Sequence, residues 1–217
     1  MTSIAVLAHR AGLSLPEGAA DRLDDYAARL VAANARVNLV ARSDVPRIAE
    51  RHVLHCLVLT RRLFPGGATV VDWGTGGGLP LIPLAICFPE VAFVGVDAVE
   101  KKTLAVRAMA RAMGLPNVET WHGRAEDYRE PHTHSVSRAT APLATLWSWH
   151  AKGAVDADAG EGAWPPGLVA LKGGDLTSEI DDLHAYAPGF VADVEPVGLP
   201  GVYFADKHIV TLRQMPG

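Results

Sequence analysis

The chain has 217 residues, 49% of them hydrophobic and 20% charged, with 21 glycines and a net charge of −4. Apolar content this high with so little net charge excludes disorder as the main state. At roughly 100–200 residues per domain, the length allows one good-sized domain, or one domain with a short extension, and a core that needs no staples. Cys56 and Cys87 form no C-x-x-C pair, which fits a reducing cytosol and argues against a disulfide framework or a cysteine zinc site. The N-terminus lacks a basic start ahead of an apolar segment, and no apolar run reaches the roughly 18 residues of a membrane span. A cytoplasmic protein with no membrane association, a monomer, is expected.

Charge is unevenly spread. Residues 1–65 carry nine Arg against six acidic residues, residues 66–155 carry eight bases and eight acids, and residues 156–217 carry three bases against ten acids. Six of the arginines lie within 36–62, beside only Asp44 and Glu50. This segment is either a solvated helix face or a phosphate-binding patch on an otherwise acidic body.

In chain order, Gly12-Leu13-Ser14-Leu15-Pro16 separates a short N-terminal helix from a second over about residues 17–35, where Leu23, Tyr26, Ala27, Leu30 and Val31 recur at helical spacing. Ser43-Asp44-Val45-Pro46 caps a third, residues 46–63, ended by Phe64-Pro65-Gly66-Gly67. Residues 1–65 thus read as a helical N-terminal extension packed on the core. In residues 66–217 the pattern changes to short β-branched runs at 68–73, 91–97, 117–121, 135–138, 168–172, 190–197 and 208–213. Helical stretches fall near 80–88, 99–113, 142–151 and 175–186. The alternation predicts an α/β fold, a doubly wound, mostly parallel seven-stranded sheet. Ligands of such sheets lie beyond the carboxyl ends of the strands. Residues 153–167, acidic and rich in Gly and Pro, read as an exposed loop.

The most informative segment runs from Val70 to Pro80: a buried strand, a glycine-rich turn, and the start of a helix. The dinucleotide fingerprint G-x-G-x-x-G/A fails here, because its third position is Leu79 counted from Gly74 and Leu81 counted from Gly76. What stands there is Asp-x-Gly-x-Gly-x-Gly, with Asp72, Gly74 and Gly76, which suits a nucleoside cofactor without a pyrophosphate. S-adenosylmethionine is that cofactor, and S-adenosylhomocysteine its product. Asp97, at the end of the second strand, is placed to accept both ribose hydroxyls. After the third strand, the Ala125 amide and the Glu126 carboxylate can hold an adenine, or the acids can simply favour a helix N-terminus. Arg138 ends the fourth strand, as a sheet-end salt bridge or a substrate contact.

The segment 137–142, Ser-Arg-Ala-Thr-Ala-Pro, occupies the place where methyltransferases of exocyclic base amines carry Asn/Asp-Pro-Pro-Tyr. Both cysteines read as buried small hydrophobes, which leaves no nucleophile for pyrimidine C5 methylation. An acceptor that is already nucleophilic, such as guanine N7, needs in-line positioning and no general base. His132 and His134 lie in a Pro-containing loop without a third ligand at zinc-like spacing, so no metal is expected. His52 and His55, three apart on one helix face, are expected at the surface or against substrate.

The chain resembles the glucose-inhibited division protein B family, bacterial guanine-N7 methyltransferases of small-subunit ribosomal RNA. The resemblance rests on Asn38-Leu39-Val40, Arg51-His52-Val53-Leu54, residues 72–83, Val96-Asp97 with Lys101-Lys102, Gly123-Arg124-Ala125-Glu126, Ser137-Arg138-Ala139, Ala170-Leu171-Lys172-Gly173 and Lys207-His208-Ile209-Val210. It covers about residues 20–213. It implies S-adenosylmethionine as donor and one guanine of the small ribosomal subunit as acceptor. By position, Gly74, Leu79, Ala125, Glu126 and Arg138 match the family's cofactor contacts. Arg124, Arg138 and Lys172 are candidates for the RNA phosphate or the target base. The chain departs from the common pattern at Val40, His55-Cys56 and Leu81. Two other readings stay open from sequence: a methyltransferase of the same fold acting on a small molecule, and a cofactor-binding protein without turnover.

Overall fold

The computed structural model describes residues 2–187 and 189–215. Helices α1 (Ile4–Arg10) and α2 (Ala19–Asn34) open the chain. The helix expected over residues 46–63 divides into a 3-10 segment (Arg42–Arg47), a π-helical segment (Ile48–Leu54), a single turn α3 (His55–Leu57) and a second 3-10 segment (Val58–Arg61). Between Ile48 and Leu59 only Glu50 and Arg51 escape burial. A segment buried on nearly every side has no single apolar stripe to hold one α-helical register.

The remaining elements are β1 (Thr69–Trp73), α4 (Leu81–Cys87), β2 (Ala92–Asp97), α5 (Glu100–Ala112), β3 (Val118–His122), β4 (His134–Arg138), α6 (Leu143–His150), β5 (Gly167–Gly173), α7 (Thr177–Tyr186), β6 (Phe190–Pro196) and β7 (Lys207–Gln214). They build one seven-stranded sheet in the order β3-β2-β1-β4-β5-β7-β6. Strand β7 runs antiparallel to β5 and β6, and the other pairs are parallel. Strand order reverses between β1 and β4, and this opens a crevice at their carboxyl ends. The doubly wound, mostly parallel fold expected from the sequence is the fold observed.

Alternation along β1 assigns its two faces. Val70 joins the core made with α2, α4 and α5, whereas Val71 and Trp73 join the core under α6 and α7. The N-terminal helices share the first core: Leu23, Leu30, Val53 and Leu57 pack in one cluster with Leu81, Ile82 and Val106. Each buried aliphatic side chain there contributes about 1.5–3 kcal/mol, so residues 4–61 cannot lift away from the sheet cheaply.

Two local expectations are corrected. Within 153–167, Trp164 is 1% exposed and its Nε1 donates to the Leu59 carbonyl at 2.8 Å. Residues 154–162 are exposed as expected, but this indole, with the Trp164 backbone N–H on the Leu63 carbonyl at 2.8 Å, closes the end of the acidic loop onto the N-terminal segment. His134 belongs to β4, and His132 and His134 are both buried; His132 packs edge-on against Trp73 and Tyr128 is its tilted neighbour. Among the described residues no helix is long and apolar enough to cross a membrane.

Candidate active site

The glycine turn after β1 is braced from below. The Tyr26 hydroxyl on α2 donates to the carbonyls of Gly77 and Gly78, at 2.9 and 3.1 Å. Asn34, closing the same helix, accepts from the backbone N–H groups of Leu39 and Val40 at 2.7 and 3.0 Å, and so turns the chain back over the loop. A Cβ on Gly77 would come within 2.8 Å of Leu30 Cδ1 and 3.3 Å of Leu39 Cβ, so the loop fits closely against the helix. Gly74 has φ +70°, and a Cβ on it would overlap Thr140 from the end of β4.

Asp97 ties the turn to the second strand. One carboxylate oxygen accepts from the Gly76 N–H at 3.0 Å and the other from the Val99 N–H at 2.9 Å. Each oxygen keeps a further lone pair for a ligand hydroxyl. Asp72 lies wholly buried beneath the loop, where its carboxyl accepts from the Leu81 N–H at 3.3 Å. Burial pushes that carboxyl up to about 7, and Asp72 does not reach the wall of the cleft above it.

Above these residues lies a cleft of about 630 Å³, the size of a nucleoside site. Its walls include Gly74, Gly76, Leu79, Asp97, Arg124, Ala125, Glu126 and Arg138. Of the residues singled out from sequence, the cleft therefore gathers all but Asp72 and Lys172. The 3-10 turn Ala125–Asp127 sets Ala125 and Glu126 beside Asp97 at the strand ends. Lys172, on β5, faces an adjoining cavity, with its Nζ 2.7 Å from Glu179 Oε2 and 3.0 Å from the Ala141 carbonyl. Arg138 borders both cavities. No carboxylate among the described residues pairs with it, and its Nε is buried without a hydrogen-bond partner.

His52 and His55 are buried, not at the surface. His52 lines the cleft, 3.4 Å from Asp44. Burial first, and the Arg138 guanidinium second, hold His52 down at about 4 and His55 at about 3. Both are neutral at physiological pH and can accept a hydrogen bond. Cys56 and Cys87 are buried, and burial pushes both thiols up to about 12. Neither is a nucleophile. Among the described residues no group of His, Cys, Asp or Glu could hold a metal ion. Of the arginine-rich segment, Arg36, Arg42, Arg47, Arg61 and Arg62 are exposed, and Arg51 is tied to Asp44 at 3.2 Å.

Sequence reasoning missed Thr140 and Tyr203, both of which line the cleft. Thr140 carries a signal only in three dimensions, through Gly74. Tyr203 does follow two glycine turns, Gly198 and Gly201, ahead of β7, and an aromatic so placed in a strand connection is a candidate platform.

A mostly parallel sheet with this strand order, with β7 antiparallel, a glycine turn after β1 and a carboxylate ending β2, defines the S-adenosylmethionine-dependent methyltransferase class. Solved structures share the fold. The Bacillus cereus O-methyltransferase in complex with S-adenosylhomocysteine matches with a TM-score of 0.59 at 18% identity, over 97% of each chain. An Aquifex aeolicus S-adenosylmethionine-dependent methyltransferase matches with a TM-score of 0.57 at 17% identity, over 79% of this chain and 95% of that one. Within this class the family profile described as GidB, rRNA small subunit methyltransferase G, matches residues 19–185. The protein named ribosomal RNA small subunit methyltransferase G in Salinibacter ruber is 52% identical over 199 residues, 89% of this chain and 92% of the relative. Its namesake in Chlorobaculum tepidum is 38% identical over 95% of both chains. The chain belongs to the rRNA small subunit methyltransferase G family.

Proposed function

We propose that this protein methylates N7 of one guanine in small-subunit ribosomal RNA, with S-adenosylmethionine as donor. The observation that carries the reading is the Asp97 carboxylate, fixed by two backbone amides at the mouth of the glycine turn, inside a chain of this family. The residues present fit the cofactor. Asp97 has lone pairs for the ribose hydroxyls, Gly74, Gly76 and Leu79 leave room for the amino-acid end, and Ala125 with Glu126 offers an amide and a carboxylate to the adenine.

When bound, S-adenosylmethionine supplies an electrophilic methyl carbon: guanine N7 forms the new N–C bond, the C–S bond breaks, its electron pair goes to sulfur, and no proton moves. The chain's task is then to align and to exclude water. The absence of a polar clamp after β4 and the high-titrating thiols of Cys56 and Cys87 support an acceptor that needs no activation. Arg124 and Arg138 supply positive charge at the cleft, for the RNA phosphate or the target base. Lys172 serves the same side through its pair with Glu179. The exposed arginines of 36–62 extend that surface. In this reading residues 1–65 are an extension that braces the glycine turn, residues 66–217 are the methyltransferase domain, and the protein acts as a cytoplasmic monomer without a metal.

The test is label transfer. Methyl-labelled S-adenosylmethionine is incubated with small subunits lacking the modification, with large subunits and with a panel of small-molecule acceptors. Counts in the small-subunit RNA alone support the reading. Counts in a small molecule, or none despite cofactor binding, would move the activity elsewhere.

A further inference from the structure

A second cavity of about 600 Å³ opens beside the first, and the two share Arg138, Ala139, Thr140 and Tyr203. We propose that this second cavity receives the acceptor guanine, flipped out of the RNA, with Tyr203 as its stacking platform and the Glu179 carboxylate reading its Watson–Crick edge. The inference rests on the methyl-transfer reading above and deepens it.

The shared wall supplies the geometry. The two cavities meet along Arg138–Thr140 and Tyr203, so the base edge turned towards the methyl carbon lies at that junction. Ala139 adopts φ 53°, a left-handed conformation unusual for a residue with a side chain. The strained turn keeps Arg138 on the boundary of both cavities.

Charge order along the wall matches guanine. Beside N7, guanine presents the O6 acceptor, and beyond it the N1–H and N2–H donors; adenine presents the opposite order. The unpaired Arg138 guanidinium lies at the junction, and the carboxylate of Glu179 lies on the part of the wall that the cofactor cleft does not share. Glu179 is held there through Oε2, which accepts from the Leu143 N–H at 3.0 Å and from Lys172 Nζ at 2.7 Å. Adenine in the same pose would turn its N6 amine against Arg138.

The rim suits a flipped base. Arg51 lies over the Tyr203 ring, 4.7 Å from its centre, and Lys207 over it at 5.6 Å, so a base that stacks on Tyr203 takes the place of one of these cations, which then turns to a flanking phosphate. Next to it Val202 is 94% exposed. An aliphatic side chain projecting from such a rim can fill the gap that an extruded base leaves in its stack.

The experiment compares wild type, Tyr203→Ala, Tyr203→Phe and Glu179→Gln in methyl transfer to unmethylated small subunits, with S-adenosylhomocysteine affinity measured by calorimetry. Loss of the platform lowers kcat/KM for subunits by about tenfold or more, well beyond any loss of S-adenosylhomocysteine affinity, and Tyr203→Phe restores it. GMP inhibits the wild type more strongly than AMP does, and Glu179→Gln erases that preference. Tyr203→Ala or Glu179→Gln at wild-type kcat/KM, or equal inhibition by GMP and AMP, would overturn the inference while the wild-type activity left the reading above intact. A wild type that transfers no label to the subunit removes both.

Discussion

The side chain of Thr140 stands where a side chain on Gly74 would have to go. Thr140 Oγ1 donates to the Trp73 carbonyl at 3.0 Å, and a Cβ on Gly74 would overlap the threonine methyl. The carboxyl ends of β1 and β4 are thereby locked together at the floor of the crevice, and Arg138 is held at a fixed height above it. Gly74→Ala must displace Thr140 and also pay for φ +70°, a cost of about 1–3 kcal/mol for a residue with a side chain. The expected result is a folded but less stable protein that binds S-adenosylhomocysteine at least about tenfold more weakly. Calorimetry and a melting curve check both; wild-type affinity would show that the turn tolerates a methyl group.

Asp97 serves two backbone amides at once, and this sets apart its two simplest replacements. Alanine removes both acceptors and the ribose partner together. Asparagine keeps one oxygen, so either the Gly76 or the Val99 N–H faces an amide NH2 group and goes unsatisfied. Hydrogen bonds to a charged group are worth about 1.5–3 kcal/mol. Asp97→Ala is expected to weaken cofactor binding by about 10–100-fold, and Asp97→Asn by nearly as much. Full affinity in the asparagine variant would mean that the carboxylate charge is dispensable.

Buried titratable groups give stability a definite dependence on pH. Burial holds His52 at about 4 and His55 and His150 at about 3, against an ordinary value of 6.5. The unfolded chain therefore takes up protons on these rings near pH 6.5, long before the folded chain does. Their stabilisation is complete above pH 6.5 and declines as pH falls below it, by about 2 kcal/mol per ring at pH 5. Asp72 works in the other direction, since burial raises it to about 7 and the folded chain holds its proton when the unfolded chain has lost it. Its stabilisation grows as pH falls from about 7 towards its ordinary range near 4. Three rings outweigh one carboxyl, so the melting temperature falls between pH 7 and pH 5. Asp72→Asn is expected to steepen that fall and His150→Gln to make it shallower. A melting temperature that rises on acidification would contradict the assignment of these groups as buried and neutral.

Where local pattern and tertiary structure agree, the sequence was legible. All seven strands lie within one residue of the runs read from β-branched composition, because alternation and glycine punctuation act locally. The residues 46–63 failed for a physical reason. Their apolar side chains are buried almost all round, so periodicity could not reveal that 48–54 is π-helical. Trp164 was invisible because its environment comes from Leu59, far away in sequence. His52 and His55 looked like a polar face, yet they are packed neutral, His55 edge-on against Phe204. In the candidate site, the glycine turn, Asp97 and Arg138 could be read from their positions at strand ends. Thr140 could not, since it acquires its place only when the ends of β1 and β4 come together, and Tyr203 left only the weak signal of an aromatic after two glycine turns.

The most direct measurement maps the methyl group. Small subunits lacking the modification are incubated with the protein and methyl-labelled S-adenosylmethionine, and the RNA is then cleaved at N7-methylguanine. A single cleavage site, lost with Arg138→Ala while S-adenosylhomocysteine still raises the melting temperature, is the expected result. Label that resists this cleavage, or that spreads over many positions, would contradict methylation of one guanine at N7.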